Sequence, residues 1–224
     1  MAEYIVEFGK DGGSRQTGGR LDAPAFHRNH QAILAVLERH LTGKAGDVVE
    51  VGSGTGQHVI AFARQFPDIA WWPSDLNENH LASIEAWRQH SGLSNVRSAR
   101  GIDVSNPAWG DALKADGGPS ELLAVFCANV VHIAPWRVAE GLVAGAGRIT
   151  RRHGMLILYG PFKRGGKHTA DSNAVFDASL RQGNPEWGVR DVEAIERLAD
   201  AAGFSLIEIA EMPANNLTLV FARN

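Results

Sequence analysis

Asp47-Val48-Val49-Glu50-Val51-Gly52-Ser53-Gly54-Thr55-Gly56 sets an apolar run directly against a glycine-rich turn. The run reads as the first strand of a nucleotide-type α/β fold, turning through the glycines into a helix. Glycine is needed where the chain takes positive φ or passes close to a ligand, because a Cβ would block both. The spacing then discriminates between ligands. A dinucleotide fingerprint places glycines at the first, third and sixth positions of the turn, and the sixth position here is Gln57. The pattern is instead G-x-G-x-G, with Glu50 two residues before Gly52. This disfavours a nicotinamide-dependent oxidoreductase.

Outward from the turn, strands and helices alternate, which predicts an α/β fold. A helix is expected from about Asp22, read as its N-cap with Pro24 in the first turn, burying Ile33, Leu34, Leu37 and Leu41. Residues 57–66 continue the glycine turn as a helix that stops at Pro67, and Ile69–Asp75 is the second strand. Asn77 is expected to cap a helix carrying Leu81, Ile84 and Trp87. Residues 95–102 read as a third strand ending at Asp103, and 122–127 as a fourth, wholly apolar as a buried parallel strand should be. A helix between Trp136 and Arg151, a strand at 155–158 and a helix at 191–202 stopped by Gly203 follow. Strands at 204–209 and 217–221 close the chain across a turn at 212–216. Residues 1–21 are rich in glycine and read as a flexible lead or lid. With no repeat or linker, residues 1–224 read as a single domain.

Twenty-two basic residues against twenty-five acidic ones give a net charge of −3. Neither a nucleic acid nor an anionic membrane is the expected partner of such a surface. Cys127 is the single cysteine, which excludes an internal disulfide and points to a reducing, cytoplasmic setting. No apolar stretch approaches the ~20 residues of a membrane span. His27 and His30 lie one helical turn apart without a third ligand nearby, so no metal site is expected. No surface stripe fixes an oligomeric state.

In an open α/β sheet, ligands lie beyond the carboxyl ends of the strands. Three such ends carry suitable chemistry. The glycine turn is the first. Asp75, followed by Leu76, stands nineteen positions after Gly56, where a carboxylate accepts both hydroxyls of a ribose. Asp103 is suited to accept an adenine amine, with Ile102 or Val104 against the ring. Taken singly, either acid reads equally well as a helix N-cap; the three in chain order read as a nucleoside site.

Residues 48–56, Asp75 and Asp103 resemble the class I S-adenosylmethionine-dependent methyltransferases, over nearly the whole chain. More narrowly, Arg28-Asn29, Trp72-Pro73-Ser74-Asp75, Asn129-Val130-Val131-His132-Ile133, Tyr159-Gly160-Pro161-Phe162, Asp171-Ser172-Asn173 and Met212-Pro213-Ala214-Asn215-Asn216 resemble the methyltransferase-like family that includes methyltransferase-like protein twenty-six. His27 stands where that family is expected to carry an acid. The resemblance implies a Rossmann-like, doubly wound sheet of seven strands, mostly parallel, ending in an antiparallel hairpin. It implies S-adenosylmethionine as cofactor, held by Glu50, Gly52, Gly54, Gly56, Asp75, Leu76, Asp103 and Val104; Asn129 reads either as a contact to the methionine amino group through its side-chain carbonyl or as a plain turn residue. It names no substrate.

Methyl transfer requires chiefly that a nucleophile be held in line with the S–CH3 bond, which is worth ~7–11 kcal/mol when well executed. A hydroxyl or ammonium acceptor also needs a base. His132, just beyond strand four, is the candidate base, with a loop-bonded structural histidine as the competing reading. Tyr159 reads either as a hydrogen-bond donor or pocket wall near the sulfonium or as a packed core-edge tyrosine. Arg28 and Asn29 are expected to close over the site, with Trp71, Trp72, Trp109, Trp136 and Trp187 as an aromatic wall or as core. Lys163, in a basic loop running to His168, reads either as a clamp for a substrate anion or as a solvated surface. Asn215 and Asn216 read as the final hairpin turn, where asparagine tolerates left-handed geometry, with contact to substrate as the competing reading. Asn129 lacks the following Pro-Pro-aromatic run of enzymes that methylate bases. The expected function is methyl transfer to a small metabolite, an anionic one if the basic loop is used. The alternative is a cofactor-binding or scaffold protein with the same fold and no catalysis.

Overall fold

Residues 18–224 are described in this computed structural model, opening with helix α1 (Pro24–Leu41) and strand β1 (Gly46–Val51). Residues 1–17 of the expected lead lie outside them. The chain divides after Asp103 into two compact units.

The first unit continues with α2 (Gln57–Gln65), β2 (Ile69–Asp75), α3 (Glu78–Ser91) and β3 (Arg100–Gly101). β1 runs parallel to β2 in register from Gly46 opposite Ile69 to Val51 opposite Ser74. Helix α1 buries Ile33, Val36, Leu37 and Leu41; Val36 takes the place expected for Leu34, which is half-buried. Its N-cap is Ala23 rather than Asp22, with Pro24 opening the helix. Asn77 caps α3 as expected, its side chain accepting from the amides of Asn79 and His80. The third strand is far shorter than the apolar pattern predicts. Val96 makes only an isolated bridge to Trp71. The Asn95 amide donates to the carbonyls of Ala63, Phe66 and Ile69 at 2.9–3.1 Å, so this segment caps the end of α2 where a ladder was expected.

The second unit comprises α4 (Trp109–Ala115), β4 (Leu122–Ala128), α5 (Trp136–Ile149), β5 (Thr150–Gly160), β6 (Phe162–Arg164), β7 (Lys167–His168), α6 (Asp171–Gly183), β8 (Arg190–Asp191), α7 (Val192–Ala201), β9 (Phe204–Met212) and β10 (Asn216–Arg223). Asp191 caps α7 through the Glu193 amide. Seven strands form the main sheet, ordered β3-β2-β1 in the first unit and β4-β5-β10-β9 in the second. Only β10 runs antiparallel, against both β5 and β9. The doubly wound α/β class and its closing hairpin are therefore as expected. β4 is buried from Leu122 to Cys127, as its unbroken apolar run requires.

Helix α4 and the small sheet β7-β6-β8 have no counterpart in the sequence reading. Trp109 explains α4. It is 2% exposed and lies against α5 at Gly145, where any Cβ would strike the indole. Trp71 is likewise wholly buried, so both belong to the core and not to an aromatic wall. Among the described residues, no helix is long and apolar enough to cross a membrane.

Candidate functional site

In the first unit, the end of β1 turns through Gly52, Gly54 and Gly56 with φ of 68°, 56° and 88°. The turn is tied to β2 by the Ser53 amide donating to the Ser74 carbonyl at 2.8 Å. Gly56 admits no side chain: a Cβ there would lie 2.9 Å from the Ile84 Cα. Gly54 is the opposite case, since a Cβ would meet nothing within 4 Å among the described residues. One side of the turn is held by packing and the other is open to a ligand.

Asp75 closes the turn from the end of β2. Its Oδ2 accepts the Gly54 N–H at 2.9 Å. Its Oδ1 accepts the amides of Leu76 and Asn77 at 2.8 and 2.9 Å, with His80 Nδ1 at 3.2 Å. A carboxylate oxygen has two acceptor sites, so Oδ2 keeps one for a further donor. Glu50 lies at the base of the turn, 2% exposed. Desolvation by burial, reinforced by the charge of Asp75, pushes its carboxyl up to about 8 against a lowering bond from Ser53. It therefore carries a proton at neutral pH, and its Oε2 is buried without a hydrogen-bond partner among the described residues.

Asp103 is exposed and lies two residues past the end of the shortened β3, while Val104, which opens the second unit, is buried. Arg28 is exposed. Asn29, expected toward substrate, is instead buried with its Oδ1 2.8 Å from His58 Nε2, and braces α1 on α2.

In the second unit, four of the unusual tags meet. The Asn129 N–H donates to the Tyr159 carbonyl at 2.8 Å, and Asn129 takes φ 60°. The Asn216 amide donates to the Tyr159 hydroxyl at 3.1 Å. The Asn173 amide donates to the Asn215 carbonyl at 2.9 Å, and the Asn215 amide to Ser172 Oγ at 3.1 Å. Ala214 and Asn215 both hold left-handed φ, 57° and 58°. Among the described residues, three of the four positive-φ non-glycine residues thus gather around Tyr159 and the start of α6, and strain of this kind persists only where surrounding contacts enforce it. His132 lies against Gly160, where a Cβ would come within 3.1 Å of its Cε1. Its ring also meets the edge of Phe176, centroids 5.7 Å apart. Burial, with the charge of Arg190, lowers its pKa to about 3. The imidazole is neutral near pH 7 and only weakly basic, contrary to the role expected of it.

Lys163 is not available as a simple anion clamp, since its Nζ lies 2.8 Å from Asp177 Oδ2. The same carboxylate meets His168 at 2.9 Å and Arg181 at 3.2 Å, and accepts the Val189 N–H at 2.7 Å. Burial pushes Asp177 up, but the bonds from Lys163, Val189 and His168 prevail and hold it at about 2. This centre fastens α6 to β6 and β7. Arg190 fixes the 131–134 loop by donating to the carbonyls of Val131 and Ala134 at 2.9 and 2.6 Å. Neither Asp177 nor Arg190 was foreseen. Asp177 is an acid on the buried side of a helix, which is the one signal that could have found it.

A family model described as "Protein of unknown function (DUF938)" matches residues 20–223. Among solved structures, an O-methyltransferase family protein from Burkholderia thailandensis aligns with 14% identity and a TM-score of 0.70, over 87% of this chain and 56% of its own. A structure described as a putative O-methyltransferase from Nostoc punctiforme aligns with 16% identity and a TM-score of 0.72, over 87% and 55%. The magnesium protoporphyrin IX methyltransferase of Synechocystis, solved with bound SAH, aligns with 15% identity and a TM-score of 0.64, over 87% and 82%. The chain spans about half the length of most of the structures it matches. At these identities the likeness is one of fold.

Proposed function

The chain belongs to the DUF938 family of proteins of unknown function, and from the residues of its glycine turn we propose that it is an S-adenosylmethionine-dependent methyltransferase acting on a small molecule. One observation carries the reading: Asp75 Oδ2 is bonded to the Gly54 N–H, on a turn whose Gly54 face is open. The residues fit the cofactor. Asp75 Oδ2 has a site left for a ribose hydroxyl. Protonated Glu50 both donates and accepts, and its buried, unpartnered Oε2 suits the amino-acid end of the cofactor. Leu76 and the glycine turn supply apolar and main-chain surface. When bound, S-adenosylmethionine supplies a methyl group already activated on a sulfonium.

Acceptor handling falls to the second unit in this proposal. Asn129, Tyr159 and Asn216 form one hydrogen-bonded set, with His132 and Phe176 as its neighbours. Neutral His132 orients an acceptor; it is too weak a base to drive deprotonation near pH 7. The acceptor is then one that is nucleophilic without strong base assistance, such as a thiolate, an enolate or a carboxylate. The commitment of Lys163 to Asp177 removes it as the main support for an anionic substrate. The finer likeness to the family of methyltransferase-like protein twenty-six belongs to this proposal, supported by the meeting of its tags around Tyr159.

Calorimetric titration with S-adenosylhomocysteine tests the reading, and absence of binding at millimolar ligand would reject it. The second reading, a cofactor-binding protein without catalysis, is favoured by the same buried, weakly basic His132. Transfer of label from S-adenosyl[methyl-3H]methionine to any component of a metabolite extract excludes that alternative.

A further inference from the structure

Residues 20–23 are fastened to the glycine turn by bonds for which the proposed chemistry has no use. The Leu21 N–H donates to Ser83 Oγ at 2.9 Å, and the Ser83 hydroxyl donates to the Thr55 carbonyl at 2.7 Å. The Trp87 indole donates to the Leu21 carbonyl at 2.9 Å, and Arg20 lies 4.9 Å from the Trp87 ring centre. Gln57 completes the set. Its Oε1 accepts both the Ala23 N–H at 2.7 Å and the Thr55 hydroxyl at 3.0 Å, while its Nε2 donates to Asp22 Oδ1 at 2.6 Å. Gln57 is 4% exposed and is the first residue of α2, directly after Gly56.

Thr55 is therefore reached twice from segment 20–23, at its carbonyl through Ser83 and at its hydroxyl through Gln57. A buried amide satisfied at both ends is costly to truncate, because its partners lose their bonds where water does not replace them. His27 Nε2 meets the same Asp22 oxygen at 2.7 Å. A histidine there supports the carboxylate where an acid would repel it.

We propose that Gln57 is a positioning residue that couples segment 20–23 to the cofactor turn, so that holding the cofactor and holding the segment are one equilibrium. The proposal rests on the methyltransferase reading. Binding that orders Thr55 favours the fastened segment, and the fastened segment favours binding to the same extent.

The experiment measures S-adenosylhomocysteine affinity by calorimetry and amide exchange at Leu21 and Ala23, with and without that ligand. The ligand is expected to slow exchange at both amides in the wild-type chain. Gln57→Ala should weaken binding roughly five- to thirty-fold, the lower part of the range of coupling between sites, and abolish the protection. Gln57→Glu sets a second carboxylate against Asp22 and should weaken binding comparably. Adding Asp22→Asn to Gln57→Glu returns a donor to the pair and should recover most of the affinity, which a general loss of structure would not allow. Wild-type affinity in Gln57→Ala, no rescue in the double variant, or exchange at Leu21 and Ala23 indifferent to ligand would each overturn the coupling. Failure of the wild-type chain to bind the ligand at all would instead overturn the methyltransferase reading.

Discussion

Asp75→Asn is the sharpest perturbation of the cofactor turn, because it exchanges one carboxylate oxygen for an amide NH2 and changes almost no volume. The carboxylate accepts Gly54 on one oxygen and Leu76 and Asn77 on the other. Whichever way the amide is turned, its NH2 faces a backbone N–H. The folded chain then loses one or two acceptors for main-chain donors, at about 1–3 kcal/mol. For a chain of this size that lowers Tm by roughly 2–4 °C per kcal/mol. Binding suffers separately. A hydrogen bond to a charged acceptor is worth about 1.5–3 kcal/mol, and its loss to a ribose hydroxyl raises Kd roughly ten- to a hundred-fold. Calorimetry with S-adenosylhomocysteine reads the second quantity and a thermal melt the first. A variant that melts lower but binds within threefold of wild type would show that Asp75 serves the turn alone, and would refute its assignment to the cofactor.

Gly56→Ala places a Cβ on a left-handed residue and within 2.9 Å of the Ile84 main chain; about 2 kcal/mol or more should be lost in urea unfolding. Asp177→Asn leaves Lys163 without its counter-charge and takes a carboxylate partner from His168, and should cost roughly 3 kcal/mol or more, with faster amide exchange in α6 and β6 as the local sign. The pH profile of stability should peak near neutrality. Folding raises Glu50 from 4.5 to about 8, so the folded chain holds one proton more there between those values. It lowers His58 and His132 from 6.5 to about 4 and 3, so the folded chain holds two fewer protons below 6.5. Stability should therefore rise from pH 4.5 to 6.5 and fall from 6.5 to 8. Glu50→Gln should abolish the fall and keep the rise, and parallel profiles for the two chains would refute the assignment to Glu50.

The parts of the molecule that are legible in the sequence are those governed by short-range pattern. Ile69–Asp75 is an apolar run that ends on an acid, Asn77 caps by its own side chain, and the glycines of 52–56 announce positive φ before any contact is known. Asp75 could be placed on the turn from spacing alone. What escaped depends on partners distant in sequence. The segment at 95–102 has strand-like residues, yet Asn95 spends its amide on three carbonyls at the end of α2. Helix α4 exists because glycine at 145 leaves room for Trp109, and no local periodicity encodes that vacancy. Asn29 and Lys163 were expected at substrate on chemical type; their partners, His58 and Asp177, lie 29 and 14 residues away. His132 shows the limit most plainly, since identity suggests a base and only burial reveals how weak a one.

Because the Gly54 amide rests on Asp75, the Gly54 side of the turn gives up its conformational freedom when the chain folds, and the Thr55 side, tied to segment 20–23, is what the proposed cofactor would still order. Binding should consequently leave the Gly54 amide where it stands and confine its ordering to Thr55 and the segment fastened to it.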